Sequence, residues 1–180
     1  MIDKESGDTS PHSQTVDCDE LRVVFEWHGD RYGHRIEQQM GGEWCTVLES
    51  LEGSGDENWP SSPVLQSLHC EHRDSGPVAL LVGKSGTSHW AASVESINCE
   101  AAFEFDIACR IHRSPQWLGS AYRTATSRAA SVGVETHAHE AIREQARPNE
   151  WRIRPARLAV VYPSTIRWRY RVALNIPEPR

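Results

Sequence analysis

Ala101-Ala102-Phe103-Glu104-Phe105-Asp106-Ile107-Ala108-Cys109-Arg110-Ile111-His112 decides how this chain folds. Positions 101, 103, 105, 107, 109 and 111 read Ala, Phe, Phe, Ile, Cys, Ile, and the positions between them read Ala, Glu, Asp, Ala, Arg, His. Successive side chains on a strand point to opposite faces, so this alternation makes one apolar face and one mostly polar face. A strand wet on one side belongs to an antiparallel sheet with its dry side against a second layer.

The same period of two recurs on both sides of it. Residues 21–27 place Leu21, Val23, Phe25 and Trp27 on one face, and residues 31–38 return after His28-Gly29-Asp30 with Tyr32, His34 and Ile36 aligned. That pair reads as a hairpin. Gly41-Gly42 breaks the chain before a third strand over 43–49. Residues 51–63 hold Gly53, Gly55, Asp56, Asn58, Pro60 and Pro63, so they form a long loop around Trp59. Long loops in compact domains often carry function. Strands follow over 64–72, 78–82 and 89–97, with turns at 74–77 and 83–88. The run Val78-Ala79-Leu80-Leu81-Val82 suits a strand buried on both faces.

Beyond the opening stretch, residues 118–123 suggest a short strand. Residues 135–147 are rich in Ala, Glu, Gln and Arg, with Thr136 placed to cap and Pro148 to stop, which predicts one short helix. Residues 151–162 form a strand interrupted at Pro155. Residues 165–174 alternate cleanly, with Ile166, Trp168, Tyr170, Val172 and Leu174 on one face and Arg167, Arg169 and Arg171 on the other. Eight to ten short strands without helices between them predict an all-β, mainly antiparallel fold. The expected architecture is a β-sandwich or a barrel-like relative of one, with at most one short helix.

A chain of 180 residues is long enough to bury a core without disulfide or metal staples. Residues 1–19 lack apolar periodicity and read as a disordered acidic tail, leaving 20–177 as a single β-rich domain. The net charge is -6, but residues 101–180 hold 13 Arg and no Lys against 7 acids. Residues 1–100 then hold 6 basic and 18 acidic groups of the totals of 19 and 25. Acidic and basic strands pairing within one sheet accounts for this, and overall acidity disfavours nucleic acid as a partner. The five Cys are irregularly spaced with no C-x-x-C, no secretory segment opens the chain, and no apolar run reaches membrane-spanning length. These features predict a cytoplasmic protein with reduced thiols and no membrane partner.

Few residues carry a recognisable chemistry. Gly83-Lys84-Ser85-Gly86-Thr87-Ser88 contains GKS, but a phosphate loop needs a glycine where Val78 stands and a helix where a strand pattern follows. His69-Cys70-Glu71-His72 is the densest group of metal-capable side chains. Extended, it puts Cys70 and His72 on one face, so His69, Cys70 and His72 could hold zinc if a neighbouring strand brought Cys109 or His112. Exposed histidines beside a small packed thiol are the plainer account, and no cofactor is expected. Glu135, His137, His139 and Glu140 form a second polar group, with Glu135 and His139 on one face if helical, and a solvated face is the simpler reading. Cys109 falls on the apolar side of its strand as a packing thiol. No G-x-S-x-G elbow supports a nucleophile.

Two features point to binding. Arg167, Arg169 and Arg171 make a charged stripe that either meets an acidic partner or pairs with carboxylates on the next strand. Seven Trp stand against three Phe, and an indole exposed beside polar groups stacks on sugars or peptides. Trp59, Trp90 and Trp117 are the ligand-facing candidates, with Trp59 and Trp117 beside prolines in loops. The expected function is a non-catalytic binding module for a carbohydrate, a peptide or an acidic partner. A metal-dependent enzyme using the His69–His72 group is one alternative. A structural domain that forms a homo-oligomer through a sheet edge is the other.

Overall fold

The computed structural model describes residues 13–97, 100–125, 132–159 and 161–174. Among these residues there are thirteen strands and no helix. One sheet has seven strands in the order β1 (Ser13–Cys18), β2 (Leu21–Trp27), β3 (Tyr32–Met40), β4 (Glu43–Ser50), β9 (Ser120–Thr124), β12 (Glu150–Pro155) and β11 (Ala141–Arg147). The other has six in the order β10 (Val132–Thr136), β13 (Ser164–Leu174), β8 (Ala102–Ile111), β7 (Ser88–Ile97), β6 (Gly76–Ser85) and β5 (Ser67–Arg73). The strand pairs are antiparallel and the sheets do not close on themselves, so the molecule is a β-sandwich and not a barrel.

The opening stretch becomes β8, deep within the six-stranded sheet. Its Phe103, Phe105, Ile107, Cys109 and Ile111 are all buried, while Glu104, Asp106 and Arg110 face the other way. Antiparallel register sets Phe105 opposite Tyr170 and Val94. The rings of Phe105 and Tyr170 stack at 4.9 Å and 7°. From the facing sheet Leu21, Val23, Phe25, Ile36, Val47, Tyr122 and Ile153 complete one core. Its largest fully buried side chains are the aromatic Trp168, Tyr122, Tyr170, Phe25, Phe103 and Phe105, each removing a large apolar area from water in one rigid piece.

Three expectations change. The acidic tail does not reach residue 19: Ser13–Cys18 pairs with β2 and buries Val16 and Cys18, an apolar alternation too short to stand out in a polar context. Residues 1–12 lie outside the described residues. Residues 135–147 are not a helix. Residues up to Thr136 pair with β13, residues from Ala141 pair with β12, and His137–Glu140 turns between them with His139 at φ +69°. Helix propensity is worth tenths of a kcal/mol per residue, and hydrogen-bond ladders to two well-patterned strands override it. The run 78–82 is not buried throughout, because Val82 is 55% exposed on the outer face of β6.

Candidate functional site

Three connections meet at one end of the sandwich. The first is the loop of residues 51–66, which carries the chain from β4 in one sheet to β5 in the other. Its base is pinned by Arg31, only 3% exposed, whose guanidinium donates to the carbonyl oxygens of Glu52 and Ser54, each at 3.3 Å, and pairs with Asp30 at 2.7 Å. That pairing holds the Asp30 carboxyl below its ordinary range. Further along, Ser62 bridges to the backbone of Ala121, and the Tyr32 amide donates to Leu65 O at 2.7 Å. At Gly83 the loop backbone lies so close that a Cβ would overlap the Val64 carbonyl oxygen. Only glycine admits that approach.

The second connection is residues 112–119 between β8 and β9, and the third is the β6–β7 turn. Ser85 Oγ donates to Glu57 O at 3.1 Å, which ties the turn to the long loop. Trp117 Nε1 donates to Ser61 O at 3.0 Å, which ties the second connection to the first. Between them lies an open concavity of about 600 Å³ lined by Glu57, Asn58, Trp59, Arg113, Ser114 and Gln116. Trp59 is half-buried against the core. The Glu57 carboxylate folds back over its own turn, with Oε2 2.6 Å from where a Cβ on Gly53 would stand. A second, more apolar pocket of about 160 Å³ shares Gln116 and is walled by Pro115, Trp117, Leu118, Pro155 and Leu158, with Arg154 at its edge. One wall of amides, a hydroxyl and charged groups around an indole is what polar-ligand recognition requires.

Between the sheets, beneath the long loop, runs a polar chain that sequence patterning only half signals. His34 Nε2 is 2.7 Å from Tyr122 Oη, which is 2.7 Å from Tyr170 Oη on the facing sheet. Trp168 Nε1 donates to Ser120 Oγ at 3.4 Å beside them. Ser50 Oγ donates to the Glu52 carboxylate and receives the His34 amide at 2.8 Å. Burial disfavours a charged imidazole and lowers His34 to about 4. The protein closes around the Glu52 carboxyl and raises it to about 7, against the opposing pull of Ser50 and Arg31. Desolvation likewise raises both tyrosines. The cavity lined by His34, Glu52, Ser120 and Tyr170 is about 10 Å³, room for one water at most, so the chain acts as structure beneath the site and not as a substrate pocket. Period-two parity puts His34 on the inner face with Ile36, whereas nothing in a Gly- and Pro-rich loop marks Glu52.

The residues singled out from sequence scatter. Trp59 lines the large concavity and Trp117 the smaller pocket, where the Arg152 guanidinium stands 5.2 Å from the ring centre. Trp90 is 2% exposed and meets Trp168 edge to face at 6.2 Å, so it is a core residue that no surface ligand reaches. Its position opposite Cys109 on β8 sends it inward. Arg167 is held by Asp106, Arg169 by Glu140 through two contacts at 2.6 Å, and Arg171 by Glu100. The stripe is therefore neutralised within its own face.

His69, Cys70 and His72 lie on β5 at the edge of the six-stranded sheet. Two strands separate them from Cys109 and His112, so the neighbour that a zinc site needed is not beside them. Among the described residues no group of three or more His, Cys, Asp or Glu converges to hold a metal. Glu135 and His139 do not share a face, and His137 instead pairs with Glu104 at 2.5 Å. Burial pushes the Cys109 thiol up to about 12, in keeping with a packing role. Among the described residues no helix is long and apolar enough to cross a membrane.

The fold and this loop-end site define an antiparallel β-sandwich with a polar, tryptophan-walled concavity. Compared with protein-family models, with curated proteins and with solved structures, the chain matches none.

Proposed function

We propose that the chain is a non-catalytic carbohydrate-binding module whose site is the concavity around Trp59. The observation that carries this reading is the company Trp59 keeps: Asn58, Gln116, Ser114 and Arg113 surround it in a space of about 600 Å³. A pyranose offers an apolar C–H face to an indole and a ring of hydroxyls to amides and a guanidinium, which matches that lining. Among the described residues the concavity holds one carboxylate, Glu57, whereas glycoside hydrolysis in its usual form uses a facing pair. Binding without turnover is the function this supports. The free thiols of Cys18, Cys45, Cys70 and Cys109 favour a reducing compartment, and we place the protein in the cytoplasm on that basis.

Titration calorimetry against a set of oligosaccharides tests it, with Trp59→Ala as the control. Stacking on an aromatic ring is worth roughly 1–2 kcal/mol, so the variant binds about five- to thirtyfold more weakly, and circular dichroism checks that it keeps its fold despite losing a half-buried indole. Equal binding by parent and variant, or preference for extended peptides over every glycan, would refute the reading.

A further inference from the structure

Among the described residues nine arginines hold a carboxylate: Arg22, Arg31, Arg35, Arg73, Arg147, Arg154, Arg167, Arg169 and Arg171. Arg143 and Arg152 stand over the rings of Trp151 and Trp117 instead, and one corner of the six-stranded sheet holds cations with neither kind of partner. On the outer face of the six-stranded sheet, Lys84 stands opposite His89 across β6 and β7, and His89 stands opposite Arg110 across β7 and β8. All three are exposed, and among the described residues none of their side chains has a carboxylate partner. The next position in that row, on β13, is Thr165. Lys84 and Arg110 are cations with His89 between them and no carboxylate in the row, so the fold gains no cross-strand ion pair from it.

The row adjoins the Trp59 concavity. Lys84 precedes the β6–β7 turn, and at that turn Ser85 donates to Glu57 O while Gly86 lies against the Asn58 side chain. Arg110 lies three residues before Arg113, which lines the concavity and is likewise unpaired among the described residues. Lys84, His89 and Arg110 therefore form a row on strands whose connections border the concavity, where Arg113 stands, while Glu57 has its carboxylate turned onto Gly53.

Resting on the carbohydrate reading above, we infer that the ligand is an acidic glycan, its anionic groups lying along Lys84, His89 and Arg110 and one sugar ring on Trp59. The row spans two interstrand spacings, roughly 10 Å, which fits a short anionic segment. A net charge of -6 over the whole chain opposes the long contact that a duplex nucleic acid makes. Guanidinium groups pair with carboxylate or sulfate in two-point contacts, and an exposed ammonium adds a point charge.

The test uses the full chain with four probes: an oligogalacturonate, a heparin oligosaccharide, a neutral gluco-oligosaccharide and a single-stranded oligothymidylate. The parent is compared with Trp59→Ala and with a Lys84→Gln/Arg110→Gln double variant, whose substituted side chains are exposed and outside the concavity. The acidic glycans bind at least about tenfold more tightly than the neutral one and lose that advantage between roughly 0.05 and 0.2 M salt. The double variant loses the same advantage and keeps its neutral-glycan affinity, while Trp59→Ala weakens every glycan. Neutral and acidic glycans binding equally well through Trp59 would overturn this inference and leave the carbohydrate reading standing. Tighter binding of the oligonucleotide through Lys84 and Arg110 would overturn it in favour of nucleic acid. No binding by any glycan would remove both.

Discussion

His34 and Glu52 give the fold two opposing responses to pH, and separating them tests the buried network directly. His34 titrates near 6.5 in an unfolded chain and at about 4 in the folded one. Between those values the unfolded state binds the extra proton, so this residue makes stability rise with pH by about 1.4 kcal/mol per pH unit, roughly 3 kcal/mol in all. Glu52 moves the other way, from 4.5 to about 7. Between those values the folded state keeps its proton and the unfolded state has lost it, so stability falls with rising pH by a similar slope and total. From about pH 4.5 to 6.5 the two contributions cancel, and the parent protein gains or loses little from this pair. Glu52→Gln removes the falling limb and keeps a hydrogen-bonding partner for Ser50, so stability then climbs by about 1.4 kcal/mol per pH unit across the window. His34→Gln removes the rising limb, and stability then declines at a similar rate. Urea denaturation at half-unit steps from pH 4.5 to 7 measures both, with constant m-values confirming that the transition itself is unchanged. Curves for the two variants that run parallel to the parent would show that neither group titrates abnormally.

Three further substitutions test the packing that positions the site. Gly83→Ala forces the long loop off β6, because a Cβ there overlaps Val64 O, and costs about 2–4 kcal/mol in urea denaturation through overpacking and a lost backbone hydrogen bond. Phe105→Ala removes a buried ring from the centre of β8 and costs about 3–5 kcal/mol by the same measure; a cost under about 1 kcal/mol would mean that β8 is not central to the core. Tyr170→Phe deletes one hydroxyl of the chain that joins the two sheets. Tyr122 keeps His34 as its partner, so the loss is about 1–2 kcal/mol, and an unchanged stability would mean that the link between the tyrosines is not formed.

The sheets are legible in the sequence because burial on one face imposes a period of two that needs no knowledge of the neighbour. Phe103, Phe105, Ile107, Cys109 and Ile111 declare their face alone, as do Ile166, Trp168, Tyr170 and Val172. The segment 135–147 hides its strands because β11 is an edge strand with only Ala141 buried, leaving exposed Glu, Gln and Arg to mimic a helix. Trp59 could be marked by its setting in a loop of glycines and prolines. Trp90 could not be dismissed without the register that turns it toward Trp168. Arg113, Asn58 and Gln116 carry no local signal, since they become a site only when three connections from distant parts of the chain meet. The basic row is invisible for the same reason: Lys84, His89 and Arg110 are far apart until the ladder of β6, β7 and β8 sets them side by side.

The claim that ligand is taken at the loop end is tested most directly by following the indole N–H resonances of all seven tryptophans during a glycan titration. Trp59 moves most and Trp117, in the adjoining pocket, moves less, while Trp90 and Trp168 in the core stay where they were. Unmoved Trp59, or shifts confined to other indoles, would contradict the account.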